Sequence, residues 1–320
     1  MALDSATLMV NPAARGVPSH YDWTRPQRFL LKRGIETRLV IPSSPEDARC
    51  EAAQSARAGD RWLFVVGGDG SLRVAAAGLA GSQTALAALP MGTVNVWARE
   101  TSIPPKLKAA LETHLSGRIE RIDIGRAGDE PFLLMASAGW DAVVARDVSP
   151  SLKRKLGDLA YVLQGIRSVR QLHGQPVEWS ADGHRSHSHI ATMVISNTRL
   201  YGGRVMFTPD ARATDGVFDY VALMPRHPGD TIGLAVRLVM RRLSHALRVK
   251  SGRARAISID TPGIAVQLDG DYVGETPMTF TIEPRALAVS LPGGPLPAIL
   301  AAPAFEPHAT DGAMWQPQPA

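Results

Sequence analysis

The stretch Arg61-Trp-Leu-Phe-Val-Val-Gly-Gly-Asp-Gly-Ser-Leu-Arg-Val-Ala-Ala-Ala-Gly-Leu79 joins an apolar run, a glycine-rich turn and a run of helix formers. The apolar run at residues 63–66 predicts a buried parallel strand, and Ser71 predicts the cap of a helix. Glycines let the backbone approach an anion, and free N–H groups at a helix start point toward it. The stretch therefore indicates a phosphate-binding turn, although a plain strand-to-helix turn with a capping Asp has the same pattern.

Asp69 lies between the glycines of this turn. A carboxylate repels a neighbouring phosphate unless a cation bridges the two groups. We therefore expect Asp69 either to hold Mg²⁺ or to contact the incoming nucleophile.

The whole sequence sets broad limits on the class of protein. Its 320 residues suffice for two domains, and 45% hydrophobic with 20% charged residues is a globular composition. No apolar run approaches the roughly 20 residues that span a bilayer, and the first ten residues do not predict a signal peptide. Cys50 is the single cysteine, so no intrachain disulfide forms and a cytoplasmic location is expected. The formal charge of +5 is too mild to indicate nucleic acid and suits anionic small molecules or an anionic membrane surface.

The first part of the chain alternates predicted strands with predicted helices, which indicates a parallel sheet covered on both faces. In such sheets ligands bind at the carboxyl ends of the strands. Asn11, the glycine turn and the loop around Asn95 all follow strand ends, so one shared nucleotide cleft is expected. The predicted strands are residues 7–10, 37–41, 63–66 and 85–89.

Beyond about residue 119, short strand-like runs separated by Gly, Pro and Asp predict an antiparallel β domain. We expect a nucleotide-binding domain at residues 1–120, a lipid-substrate domain at residues 121–300 and a disordered tail at residues 301–320. The predicted strands of the second domain are residues 132–136, 189–196, 217–223, 256–259, 265–268 and 286–291.

Two predicted helices, residues 152–172 and 231–249, interrupt this β pattern. The second helix has a basic side that includes Arg237, Arg241 and Arg242. Such a side is either an ordinary solvated surface or a docking face for anionic lipid headgroups.

Several short motifs follow one another in a characteristic order. Together they resemble the diacylglycerol kinase catalytic-domain family, which includes bacterial lipid kinases, sphingosine kinases and ceramide kinases, over about residues 7–291. The motifs are Asn11-Pro-Ala-Ala-Arg-Gly16, Gly67-Gly-Asp-Gly-Ser71, Pro90-Met-Gly-Thr-Val-Asn95, Asp123-Ile-Gly125, Gly139-Trp-Asp-Ala142, Asn197-Thr-Arg-Leu-Tyr-Gly-Gly203, Pro209-Asp-Ala211, Asp215-Gly216 and Leu268-Asp-Gly-Asp271.

This resemblance implies a three-layer α/β nucleotide domain with a mostly parallel sheet, a C-terminal antiparallel β-sandwich and an active site between them. The last strand is expected to pack back on the first domain. The resemblance also implies ATP, Mg²⁺ and phosphorylation of a lipid hydroxyl, with Asp271 as the proton acceptor. A structural Mg²⁺ would be held by Asp215 and the main-chain carbonyls of Phe218 and Tyr220. The implied nucleotide contacts are Asn11, Pro12, Ala13, Ala14, Arg15, Ser43 or Ser44, Gly67, Gly68, Asp69, Gly70, Ser71, Leu72, Arg73, Val74, Thr93 and Asn95.

The chain departs from the family pattern at two positions. Val96 replaces an acidic residue that usually follows Asn95, and Asp271 is one methylene shorter than the usual Glu. A general base must come within about 3 Å of the proton that it takes. Asp269, expected on the same side of a strand as Asp271, is therefore an alternative or a partner. The segment also fits a plain hairpin turn.

Three functions remain open from the sequence. The first is an ATP-dependent lipid kinase with a diacylglycerol-like, ceramide or sphingoid acceptor, in peripheral contact with the inner face of an anionic membrane. The others are a soluble NAD kinase-like enzyme and a relative that binds lipid or nucleotide without turnover. A homodimer is also left open. His184, His187 and His189 are weighed as a zinc site against a polar hairpin tip.

Overall fold

The computed structural model describes residues 3–147, 174–203, 205–226, 229–230 and 248–300. Both predicted helices with basic residues (152–172 and 231–249, with Arg237, Arg241 and Arg242) fall almost wholly outside the described residues, as does the tail at residues 301–320.

The first domain is built on parallel strands with helices between them, as predicted. Strands β2, β1, β3 and β4 are neighbours in that order, and both β3 and β4 are buried along their whole length. The strands are β1 (Asp4–Val10), β2 (Ile35–Val40), β3 (Trp62–Gly67) and β4 (Ala85–Pro90). The helices are α1 (Thr24–Leu31), α2 (Pro45–Ala58), α3 (Asp69–Leu79), α4 (Val96–Glu100) and α5 (Leu107–Leu115).

The second domain is antiparallel, which confirms the expected fold class. Its first elements are β5 (Arg118–Ala127), β6 (Glu130–Phe132), β7 (Met135–Gly139), α6 (Trp140–Asp147), β8 (Gln175–Ala181), β9 (His184–Ile190) and β10 (Thr192–Ser196). The others are β11 (Leu200–Tyr201), β12 (Val205–Met206), β13 (Phe218–Leu223), β14 (Val249–Ala254), β15 (Ala256–Ile259), β16 (Ala265–Leu268), β17 (Asp271–Glu275) and β18 (Met278–Leu291).

Two sheets form this second domain. One has the order β14-β13-β10-β7-β16-β17, and the other includes β18, β15, β8 and β9. Buried side chains from both sheets, such as Trp179 and Phe280 from one and Phe218 and Val266 from the other, belong to one apolar cluster. The domain is therefore a β-sandwich whose core lies between the sheets.

Two predicted strands were wrong in extent, because each is split in the structure. The run at residues 132–136 is divided between β6 and β7, since the amides of Leu133 and Leu134 bond the Asp269 carboxylate instead of a strand. The run at residues 189–196 is divided at Ala191, where the chain leaves one sheet as β9 and enters the other as β10.

Strand β18 joins the two domains. It runs antiparallel to β5 from Phe280 to Leu291, and its last part lies parallel to β4, where Val289 is opposite Leu86. The sheet of the first domain is thus completed by the last described strand of the chain. The predicted boundary after residue 120 falls inside β5.

His114 on α5 fixes this junction. Its Nε2 lies 2.8 Å from the carbonyl oxygen of Ala88 on β4, and its Nδ1 lies 3.0 Å from Ser290 Oγ on β18. The carbonyl can only accept, so Nε2 carries the proton and Nδ1 accepts from the serine hydroxyl. Burial lowers the pKa of His114 to about 4, so the ring is neutral at pH 7.

Candidate active site

Three loops meet at the carboxyl ends of β1, β3 and β4. Asn11, directly after β1, donates from Nδ2 to Ser71 Oγ at 2.8 Å. The N–H of Gly16 donates to the carbonyl of Met91 at 2.8 Å, which connects the first loop to the third. The structure therefore brings together the three loops that the sequence assigned to one cleft.

The glycine loop and the third loop touch through their backbones. A Cβ built on Gly92 would lie 2.4 Å from the Cα of Gly68, a separation that no side chain tolerates. Helix α3 begins at Asp69 with Gly68 at its N-cap. Ser71 is consequently not the cap that the sequence predicted, because its hydroxyl lies inside the helix and accepts from Asn11.

The other predicted nucleotide residues lie around these loops with local roles of their own. Asn11 Oδ1 accepts from the N–H of Ala13 at 2.9 Å, and Asn95 exchanges hydrogen bonds with the backbone of Gly92. Ser43 bonds Asp47 through its N–H and hydroxyl. Pro12, Ala14 and Arg15 follow Asn11, Leu72 to Val74 lie on α3, and Thr93 is exposed on the third loop.

Asp69 holds the third loop in place. Its two carboxylate oxygens accept the N–H groups of Val96 at 2.9 Å and Trp97 at 3.0 Å, at the start of α4. Burial raises the pKa of Asp69, although these amide bonds oppose the shift. In this structure the carboxylate thus points at α4. Its contact with Mg²⁺ or with the nucleophile stays a prediction.

The far end of α4 is tied to the second domain by Glu100. Its side chain is fully buried and accepts the N–H groups of Arg199 at 2.8 Å and Leu200 at 2.6 Å, and the Arg199 guanidinium at 2.8 Å. A charge is buried only where it is paired, so this contact fixes the segment before Tyr201. The signal missed in the sequence is an acidic residue that follows the apolar Val96-Trp97-Ala98 after a single arginine.

Asp271 reaches the first domain from β17. A Cβ on Gly70 would lie 3.0 Å from Asp271 Oδ2, and Arg73 Nη2 lies 3.6 Å from the same oxygen. Asp271 thus lies against the first turns of α3. The sequence-predicted proton acceptor and the glycine loop are neighbours in space, although about 200 residues separate them along the chain.

Asp269 lies in the turn before Asp271, and not on a strand face beside it as predicted. Asp269 and Gly270 have φ angles of 51° and 91°, which are those of a two-residue hairpin turn between β16 and β17. The Asp269 carboxylate accepts three backbone N–H groups at 2.8 to 3.0 Å, from residues 133 to 135. Burial raises its pKa to about 6, while these bonds act in the opposite direction. Asp269 therefore anchors the turn that presents Asp271.

Gln267 supports the same turn from inside the sheet. This buried side chain accepts the N–H of Gly270 at 2.6 Å and donates to Ser137 Oγ at 2.7 Å. Ser137 in turn donates to Asp141. Gln267 was not among the predicted site residues, because its only signal in the sequence is a polar residue in the buried run of β16.

Asp141, at the start of α6, accepts hydrogen bonds from three hydroxyl groups. It accepts from Ser137 and Thr192, and from the Tyr201 hydroxyl at 2.7 Å. Glu100 fixes the Tyr201 segment to the first domain. A chain of hydrogen bonds then connects Tyr201 through Asp141, Ser137 and Gln267 to the turn before Asp271.

Asp215, expected to hold a structural Mg²⁺, is paired with a guanidinium. Its carboxylate accepts from Arg253 and, at 3.3 Å, from the N–H of Val217. Asp219 Oδ2 is buried nearby without a hydrogen-bond partner. Phe218 and Tyr220 lie on β13, and Tyr220 is flanked by strands on both sides. Among the described residues, no group of three or more His, Cys, Asp or Glu side chains is arranged to hold a metal ion.

The histidines on β9 lie away from this site. His187 and His189 are exposed on one face of the strand, with ring centroids 6.4 Å apart. Opposite them on β8 are Glu178 and Pro176.

Comparison with known proteins defines the class. The model described as the diacylglycerol kinase catalytic domain matches residues 5–127, and that of the YegS C-terminal NAD kinase beta sandwich-like domain matches residues 135–291. A crystal structure of a diacylglycerol kinase from Bacillus anthracis superposes with a TM-score of 0.73 at 20% identity, covering 91% of this chain and 98% of that one. The two-domain fold is therefore that of diacylglycerol kinase-like structures.

Relatives in sequence give the family. A protein of Pseudomonas putida named "Probable lipid kinase YegS-like" is 33% identical over 257 residues, covering 78% of this chain and 83% of the relative. "Diacylglycerol kinase" of Mycobacterium tuberculosis is 29% identical over 272 residues, covering 82% and 87%. The chain therefore belongs to the diacylglycerol kinase catalytic-domain family and is a kinase.

Proposed function

We propose that the chain is an ATP-dependent lipid kinase that transfers the γ-phosphate of ATP to a lipid hydroxyl group. The observation that carries the proposal is the contact of Asp271 with the first turns of α3, beside Gly70 and Arg73. Phosphoryl transfer needs neutralised charge, in-line positioning and a group that takes the hydroxyl proton. The glycine loop serves the first two needs and the Asp271 carboxylate serves the third.

ATP would lie along the three loops at the strand ends. Gly68 and Gly92 lie close together and have no side chains, so phosphate groups can approach their backbone. Asn11 and Ser71 bond each other at the entrance to α3 and are close enough to contact the same phosphate. The other residues predicted to contact the nucleotide, including Ser43 and Thr93, are also proposed to contact ATP.

Asp271, rather than Asp269, is the proposed proton acceptor. Both oxygens of Asp269 already accept backbone N–H groups, which hold the carboxylate against residues 133 to 135. A proton taken from a substrate would weaken these bonds. Asp271 instead begins a strand and is directed at the first domain. Asp69 is proposed to order the third loop, through which it acts on the nucleotide.

Mg²⁺ is part of the proposal, since oxygen donors are the ligands that it prefers. The Asp215 carboxylate with the carbonyls of Phe218 and Tyr220 is an all-oxygen set. Asp219 Oδ2, which has no hydrogen-bond partner and lies 3.8 Å from Arg253 Nε, adds acceptor capacity beside it. These donors fit a structural cation if Arg253 releases Asp215. With bound ATP, Mg²⁺ would neutralise phosphate charge.

The acceptor is proposed to be diacylglycerol-like, with ceramide or a sphingoid base as the second choice. The name of the M. tuberculosis relative supports the first choice. Such an acceptor resides in a bilayer, so we propose peripheral contact with an anionic membrane. No helix in the described part of the chain has both the length and the apolar character needed to cross a membrane.

One assay tests this function. The purified protein is incubated with γ-labelled ATP, Mg²⁺ and a panel of lipids in mixed micelles, with NAD and sugars as soluble acceptors. Labelled lipid is the expected product. Labelled NAD or sugar would instead identify a kinase with a soluble acceptor. The absence of a labelled product with every acceptor would indicate a protein that binds lipid or nucleotide without turnover.

A further inference from the structure

The Arg73 side chain lies between the two domains at the first turns of α3. It follows Gly70 by three residues, so both lie on one face of the helix, and helical side chains point back toward the N-terminus. Only 13% of the side chain is exposed. The guanidinium is therefore held over the end of the glycine loop.

Two carboxylates lie near this guanidinium but do not satisfy all of its hydrogen-bond donors. Nη2 lies 3.6 Å from Asp271 Oδ2 and Nη1 lies 3.5 Å from Glu130 Oε2, which are longer than the usual charge-assisted hydrogen bond. Nε is buried and has no hydrogen-bond partner. The positive charge of Arg73 also opposes the raised pKa of Asp269.

An arginine has five N–H donors in a planar fork that matches a phosphate. A buried guanidinium with unused donors is unusual in a folded protein, because buried polar groups are generally hydrogen-bonded. Arg73 is close both to the proposed base and to the loop proposed for phosphates. A phosphoryl group arriving there would supply the missing acceptor oxygens.

We propose that Arg73 binds the γ-phosphoryl group of ATP during transfer, and that it pairs with Asp271 until the nucleotide arrives. The inference rests on the proposed kinase function of this site. The acceptor hydroxyl oxygen forms a bond to the γ-phosphorus, and the bond from that phosphorus to the β,γ-bridging oxygen breaks. ADP leaves with the electron pair of that bond, the hydroxyl proton passes to Asp271, and Arg73 stabilises the charge on the γ-phosphoryl oxygens.

The test separates γ-phosphate contact from a structural role. We compare Arg73→Gln and Arg73→Lys with a matched control, Arg49→Gln. Arg49 also approaches Glu130, at 3.8 Å, but it lies on α2 and not on the helix that follows the glycine loop. Binding of ADP and of the non-hydrolysable analogue β,γ-imido-ATP is measured with Mg²⁺, together with kcat, KM for ATP and thermal unfolding.

For Arg73→Gln we expect kcat to fall by about 100-fold or more, as when one preorganised donor to a transition state is lost. Affinity for β,γ-imido-ATP should fall by about 10-fold, the scale of one charge-assisted hydrogen bond, while ADP affinity stays within about 2-fold. Arg73→Lys should retain part of the kcat because it keeps the charge but loses the fork. Arg49→Gln should match the wild type.

Equal losses of ADP and β,γ-imido-ATP affinity, or an unchanged kcat in folded Arg73→Gln, would overturn the inference. If Arg73→Gln does not unfold cooperatively, the same two affinities of Arg73→Lys decide the matter. The two proposals fail differently. A wild-type protein that phosphorylates no lipid refutes the lipid kinase, whereas the preference of Arg73 for the γ-phosphate is read from binding alone.

Discussion

The Asp271 carboxylate lies 3.6 Å from the Arg73 guanidinium, although Asp271 belongs to the β-sandwich and Arg73 to the nucleotide domain. Gly70 permits this approach, because a side chain at that position would press on Asp271 Oδ2. The two domains therefore share one charged centre next to the glycine loop.

Asp271→Asn is expected to lower kcat by about 10² to 10⁴, the usual contribution of a positioned general base. The amide has the same shape but cannot take the proton, so the thermal midpoint should change little. The measurement is steady-state phosphorylation of the best lipid with unfolding curves recorded in parallel.

Glu275→Gln is the matched control for Asp271→Asn. Glu275 lies on the same strand and also faces an arginine, with 3.8 Å between its Oε1 and Arg146 Nη1. It should keep wild-type activity. Equal activity losses in the two variants would show that any change of charge on β17 is harmful and would remove the specific role of Asp271.

Gly70→Ala separates activity from stability. Alanine in a helix is favoured over glycine by about 0.5 to 1 kcal/mol, so the free energy of unfolding should stay level or rise. The added Cβ would lie 3.0 Å from Asp271 Oδ2 and displace that carboxylate, so kcat should fall by about 10-fold. A folded variant with normal kcat would show that the contact is not used in catalysis.

Gln267→Leu removes the side chain that connects the Asp271 turn to Ser137. We expect kcat to fall by about 10-fold with KM for ATP nearly unchanged, because the turn that carries the base loses its support. Stability should fall by about 1 to 3 kcal/mol, since the polar groups of Gly270 and Ser137 lose a partner.

Thr276→Val controls for stability in the Gln267 experiment. Thr276 is buried at the far end of the same hairpin, where its hydroxyl accepts from the N–H of Ile264 and donates to the carbonyl of Thr261. It should lose stability without losing kcat. If kcat falls in proportion to stability in both variants, Gln267 has only a structural role.

His114→Gln tests the junction of β4 and β18 through its dependence on pH. The folded protein holds His114 neutral down to about pH 4, whereas the unfolded chain takes up a proton near pH 6.5. This contribution to stability is complete above pH 6.5 and is lost as the pH falls from 6.5 to 4. It amounts to about 3 kcal/mol at most.

Urea unfolding at intervals from pH 4 to pH 8 measures this contribution. Gln has no proton to gain, and its amide N–H can still donate to the carbonyl of Ala88. The difference in unfolding free energy between wild type and variant should therefore shrink as the pH falls below 6.5. A difference that is constant with pH would contradict the assigned state of His114.

The sequence predicted the alternating first domain well because its strands are continuous apolar runs. β3 and β4 are buried along their length, and runs of this kind are typical of a covered parallel sheet. Prediction was weaker in the second domain, where β6 and β7 are separated by amides that bond Asp269. The residue responsible is about 135 positions away, so no local pattern reveals the break.

Motifs located the candidate site, but they did not give its contacts. The glycine loop was singled out from its residues, and Asp271 was singled out through the family resemblance. Their proximity and the burial of Glu100 depend on how the two domains pack, and the capping of α4 by Asp69 depends on how two loops of the first domain pack. Gln267 was missed because a single polar residue in a short buried strand carries no periodic signal.

The sequence by itself determined the two fold types and the glycine loop, since these depend on local backbone preference and on side-chain periodicity. The acidic residue that ends the Leu268-Asp-Gly-Asp271 motif was identified through the resemblance to the kinase family. Tertiary structure alone decided which charges meet. β18 returns to the first sheet beside β4, and the β16–β17 turn places Asp271 against α3 and Arg73. Electrostatic contacts act through space over a few ångströms, and only the folded chain sets those distances.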